Sequence, residues 1–302
     1  MRNLYLAENG TVKAKEKKLF GVSLLEQAAT APAFSGALAL FHQKFPDITA
    51  YSDSISDLLL WADNERTRLF EEAKTLAPDP LYRFLTLEHD FDNMRALCYG
   101  RNIPLHSFGS IAPELLFLAC HEGQVFGIPD YLKPAVTNLF LRTSDEYHQI
   151  LDREYLLAAR TLLSPFRSPA ITLFLRAETD LFNLFFRTEC LEQKVSCDTR
   201  EFLEGGFLPQ SFFSHQGRLR RAWEKGYRGL PFPETTAEIG EVACAWQMSC
   251  FAKIRLTSFG IDPLFGYFLA RKLEISLAAE ILSILYAGLK PTRVLRKLGQ
   301  FS

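Results

Sequence analysis

An all-α fold is predicted for this chain, and three observations predict it. Apolar residues recur at helical spacing almost throughout, whereas strand-like alternation is scarce. One helix-opening pattern occurs three times. Asp79-Pro80, Ser168-Pro169 and Asp262-Pro263 each place a side-chain acceptor at an expected N-cap and a proline at the first helical position, where its missing N–H costs nothing. An acid follows each proline ten or eleven positions later: Asp90, Asp180 and Glu274, which lie 90 and 94 residues apart. Self-similarity at a fixed period marks repeated architecture, here a triplicated helical body.

Taken in chain order, Ser54 with Asp57 three residues on resembles a capping box. Ile55, Leu58, Leu59, Ala62, Leu69, Phe70 and Ala73 then mark one helical face. The helix opened by Pro80 should stop near Gly100. Turns follow at Asn102-Ile103-Pro104 and Gly127-Ile128-Pro129, where glycine or asparagine lies close to proline. Pro134 opens a further helix whose stripe runs through Val136, Phe140, Thr143, Tyr147 and Leu151 toward Tyr155, Ala158 and Leu162. The Pro169 helix fades around Gln193-Lys194, with loops beyond it at Gly205-Gly206 and from Gly229 to Pro233. The Pro263 helix ends near Gly288, and a short amphipathic segment follows Pro291. Helices of about 20 residues would be about 30 Å long. No Ser/Gly-rich linker interrupts the chain, so residues 1–302 are expected to form one body of three pseudo-repeats, approximately 1–103, 104–194 and 195–302.

Composition narrows the function classes. Lys plus Arg number 34 and Asp plus Glu 35, so no global field steers the chain to nucleic acid or an anionic membrane. Six cysteines without a C-x-x-C pair, mostly within apolar helical stretches, read as reduced buried thiols. No secretory h-region follows Met1, and charges break every apolar run before the ~20 residues of a membrane span; Glu280, for example, interrupts Ile275 to Leu289. Twenty-six phenylalanines supply bulky packing without a cofactor.

Phosphate loops, a nucleophile elbow and H-E-x-x-H are all absent, so neither nucleotide hydrolysis nor a cofactor or metal is expected. The enzymatic alternative rests on His89-Asp90, which resembles the adjacent pair of helical metal-dependent phosphohydrolases, and on Asp90 with Asp92, which suggests an isoprenoid-type magnesium site. His42, His106, His121, His148 and His215 stand alone in sequence, so no further histidine ligand is expected beside His89. Basic runs occur at Lys13, Lys15, Lys17 and Lys18 and at Arg293, Arg296 and Lys297. The second run, on the segment after Pro291, is a candidate partner-docking set.

Aligned on their acids, the first two copies read Asp90-Phe91-Asp92-Asn93-Met94 and Asp180-Leu181-Phe182-Asn183-Leu184. Acid and Asn at i and i+3 share a helix face. This D-x-x-N-[LM] recurrence resembles the C/d family of central-stalk subunits in A/V-type rotary ATPases, whose members include the d protein of the vacuolar enzyme. Leu151-Asp152-Arg153-Glu154-Tyr155, Asp262-Pro263-Leu264-Phe265-Gly266-Tyr267, Tyr286-Ala287-Gly288-Leu289-Lys290-Pro291 and the opening Tyr5 to Val12 are similar to further stretches of that family. In the third copy Leu277 and Ala279 stand where the family usually carries Asn and Arg, which suggests an apolar replacement.

The resemblance implies an all-α funnel of three pseudo-symmetric units. It implies a non-catalytic central-stalk subunit that passes torque between rotor-shaft subunits and the membrane proteolipid ring, supporting ion transport, proton transport among it, and ATP synthesis. Such a protein binds no nucleic acid and lies peripherally on the cytoplasmic face of the membrane. Asp90, Asn93, Asp180, Asn183 and Glu274 are then expected to be structural.

Overall fold

The computed structural model describes residues 5–99, 105–106, 109–141, 147–197 and 201–300. Among these residues there are fourteen α-helices and no strand. The first three, α1 (Leu6–Lys15), α2 (Gly21–Ala29) and α3 (Phe34–His42), precede a long hairpin of α4 (Ile55–Leu76) and α5 (Asp79–Cys98). Two short helices follow, α6 (Pro113–Glu122) and α7 (Lys133–Leu141). A second hairpin, α8 (Tyr147–Leu163) and α9 (Pro169–Glu192), is again followed by two short helices, α10 (Gln210–Phe213) and α11 (Gln216–Gly226). The third hairpin joins α12 (Thr236–Ile254) to α13 (Asp262–Tyr286), and α14 (Thr292–Lys297) comes last.

The helices opened by the three prolines, α5, α9 and α13, are 20, 24 and 25 residues long. Only the middle one opens as expected: Ser168 Oγ accepts the Ile171 N–H at 3.1 Å. Asp79 and Asp262 are instead the first residues of their helices and cap nothing with their side chains. The carbonyl of Pro78 already accepts the N–H groups of Leu81 and Tyr82, which frees Asp79 to pair with Arg83 one turn on at 2.7 Å. The Asp262 carboxylate accepts the Ser168 hydroxyl, linking the starts of α9 and α13.

Ser54 caps α4 as expected, accepting the Asp57 N–H at 3.0 Å. On its predicted face Leu58, Ala62, Leu69, Phe70 and Ala73 are buried, while Ile55 and Leu59 near the helix start remain exposed. The stripe read from Pro134 is divided between α7 and α8, and Thr143 lies outside the described residues. Phe140, next to the last residue of the nine-residue α7, is exposed, against the pattern. Gly100 and Asn102-Ile103-Pro104 also lie outside the described residues. α9 stops at Lys194, whose φ of 57° is left-handed, and α13 stops at Gly288 with φ 72°. Of the six cysteines four are buried, Cys120, Cys190, Cys244 and Cys250.

Each long helix packs against the first helix of another hairpin: α5 on α8, α9 on α12, and α13 on α4. The last contact closes the chain on itself and is reinforced by a buried ion pair, Arg271 to Glu65 at 2.8 Å, with the guanidinium 4.0 Å over the Phe45 ring. Near the starts of the long helices Phe84, Phe174 and Phe265 converge, with centroids 6.2, 6.0 and 5.3 Å apart. The main apolar core runs from Val12 to Leu298, and a second cluster lies around α9, α11 and α12; Trp246 borders both.

Candidate functional site

The acids singled out by the repeat do the same job three times. Asp180 is fully buried and accepts the N–H of Phe207 at 2.9 Å, that of Leu208 at 3.1 Å, and the Tyr227 hydroxyl at 2.7 Å. Asp90, also fully buried, accepts the Ile111 N–H at 3.2 Å and the Ser110 hydroxyl at 2.6 Å; that hydroxyl in turn meets Tyr131 Oη at 2.8 Å. Glu274 accepts the N–H groups of Phe20 and Gly21 at 2.8 and 2.9 Å, reaching across 254 and 253 positions of chain. In every case the backbone donors lie at or just before the start of a short helix, α6, α10 or α2. Burial pushes all three carboxyls above their usual range, and the donated hydrogen bonds pull back against it.

The asparagines complete two of these clamps. Asn183 Nδ2 donates to the Leu203 carbonyl at 2.8 Å and its Oδ1 accepts the Leu203 N–H at 2.7 Å. Asn93 holds both backbone groups of His106 in the same way, at 3.0 and 2.7 Å. A glycine lets each loop approach its acid. A Cβ on Gly109 would come within 2.5 Å of Asp90 Oδ1, and one on Gly206 within 2.8 Å of the Asp180 Cγ. In the third clamp no asparagine is present: Leu277 and Ala279 are buried and apolar, in line with the expected replacement.

A further set of positions, two residues before each acid, escaped the sequence reading. Glu88, Glu178 and Lys272 all line one open cavity of about 500 Å³ walled by residues of α5, α8, α9, α12 and α13. Leu85, Leu175 and Leu269 stand in its wall, with Phe174, Phe182, Phe185 and Phe251. Lys272 pairs with Glu88 across the cavity, and Glu178 accepts from Gln247 Nε2 at 2.9 Å. Burial pushes the Glu178 carboxyl up to about 7. The signal that could have found them is the repeat period, extended to the neighbours of the acids.

The residues of the enzymatic alternative divide. Asp90 is spent on the loop at 110–111 and does not join His89 and Asp92. His106, expected to stand apart, lies beside them: its ring centroid is 4.8 Å from that of His89, and ligand atoms of His89, Asp92 and His106 all fall within 4.8 Å of one another. Burial above all holds the His89 imidazole down to about 4, so it is neutral at physiological pH. The candidate docking cations first serve the chain itself. Arg293 and Arg296 meet the buried Glu241 of α12 at 3.1 and 3.3 Å, and Lys297 meets Glu280 of α13 at 2.7 Å, fixing α14 in place. Among the described residues no helix is long and apolar enough to cross a membrane. Compared with protein-family models and with curated proteins, the chain matches none.

Proposed function

We propose that this chain is a non-catalytic coupling subunit of an A/V-type rotary ATPase, fixed between the rotor shaft and the membrane proteolipid ring. The observation that carries this reading is the recurring clamp. Three long helices each use a buried acid to grip the start of a short helix, and each packs on the first helix of another hairpin, so the contacts run in a cycle. A pseudo-threefold, funnel-like body accounts for that cycle. Under it the third unit is completed by the N-terminal segment around Phe20, because Glu274 grips that segment as Asp90 and Asp180 grip theirs. A body closed on itself in this manner resists twisting better than an open row of hairpins, and resistance to twisting is what torque transfer needs.

Two surfaces are suited to docking. The open cavity walled by phenylalanines and carrying Glu88, Glu178 and Lys272 offers a recess to the end of a shaft helix. Phe117, Phe140 and Leu141 on α6 and α7, with Phe126 between these helices in the chain at 94 % exposure, leave large apolar side chains open to a second partner. Reconstituted vesicles lacking the subunit test the proposal through paired assays. ATP hydrolysis by the soluble sector should persist while ATP-driven ion uptake stops. Unimpaired uptake without the subunit refutes the coupling role.

A further inference from the structure

The first clamp differs from the second in a way that no scaffold role requires. Relative to Asp90 and Asp180, position 89 matches Thr179, and position 92 matches Phe182. The residue whose backbone the asparagine holds is His106 in one clamp and Leu203 in the other. The same grip therefore works with Thr, Phe and Leu at these places. In the first clamp all three are potential metal ligands, His, Asp and His, and their donor atoms converge to within 4.8 Å of one another.

We propose that His89, Asp92 and His106 form a binding site for one divalent transition metal ion of the zinc type. Two imidazole nitrogens and one carboxylate oxygen are the donor set such ions prefer, and three protein ligands leave a fourth position for water. Zinc holds its nitrogen and oxygen ligands at about 2.0–2.2 Å, which places tetrahedral donors about 3.5 Å apart. The ligands must therefore close by about 1 Å, a movement open to the exposed His106 side chain. His89 and Asp92 lie at i and i+3 on the rigid α5, next to Asn93, whose two hydrogen bonds pin the His106 backbone; Asn93 is thus a positioning residue. Asp92 keeps one oxygen on Arg95 at 2.8 Å, an orientation that leaves the other oxygen to the ion. Bound metal would staple the loop at 105–106 to α5. The inference stands on the comparison of the two clamps and is independent of the coupling role.

Full-length chain stripped with a chelator and titrated with Zn2+ by calorimetry should take up one equivalent. Co2+ in the same site should give the visible absorption of a tetrahedral nitrogen–oxygen environment. His106→Leu, which copies the residue of the second clamp, should weaken Zn2+ binding by at least the roughly 10–100-fold that loss of even an outer-shell partner costs. Asp92→Asn should weaken it too, while both variants keep the circular dichroism of the parent. Absence of saturable binding, or binding and Co2+ absorption unchanged in His106→Leu, overturns the assignment.

Discussion

Replacing Asn183 with alanine separates burial from chemistry, because Asn93 makes the same two hydrogen bonds in a different setting. Asn183→Ala leaves the N–H and the carbonyl of Leu203 without partners, and Leu203 is only 6 % exposed, so water cannot readily replace the lost amide. A buried backbone group left unsatisfied costs about 1–3 kcal/mol, so two together should cost about 2–6 kcal/mol. That is a large part of the ~5–15 kcal/mol by which a folded domain is stable. Asn93→Ala releases the backbone of His106, an exposed residue whose groups water can reach. Its cost should fall to the about 0.5–1.5 kcal/mol net value of each exchanged hydrogen bond. Urea denaturation of the two variants beside the parent measures both numbers, with the slope checking that the unfolding transition is unchanged. Equal losses, or a larger loss for Asn93→Ala, would refute the argument that burial of the clamped loop decides the energetics.

Two further variants probe the clamps and the cavity. Gly206→Ala should destabilise by about 1–3 kcal/mol, since the new methyl meets a carboxylate held by two N–H groups and a phenol. Gly240→Ala, in α12 with nothing within 4 Å, should stabilise by about 0.5–1 kcal/mol, and thermal unfolding of the pair checks the contrast. Glu178 is held up to about 7 from its ordinary 4.5, so the folded state binds its proton more tightly than the unfolded chain does. Its contribution is full below pH 4.5 and is lost as pH rises through 7, a change on the order of 1–3 kcal/mol. Glu178→Gln should remove this contribution, so the variant should gain on the parent between those pH values and exceed it at pH 8; a parent-minus-variant difference that rises over that window would contradict the sign.

The amino-acid sequence by itself determined the features that depend on neighbours within a turn or two. The 3.6-residue period makes α4, α5, α9 and α13 legible, Ser54 marks the start of the first and proline those of the other three, and the i, i+3 spacing places Asp90 with Asn93 and Asp180 with Asn183 on common faces. The apolar replacement at Leu277 was marked by the family resemblance, and Leu277 is buried. What those faces hold was decided only by tertiary structure. Glu274 takes its donors from Phe20 and Gly21, Lys272 finds Glu88, and the Asp262 side chain answers Ser168 rather than its own helix start. His106 reaches His89 and Asp92 because Asn93 grips its backbone, not because of any spacing between the histidines. The physical reason is that a helix period reports which way a side chain faces, while the partner it meets depends on the path of the intervening chain, which one strand of letters does not encode locally.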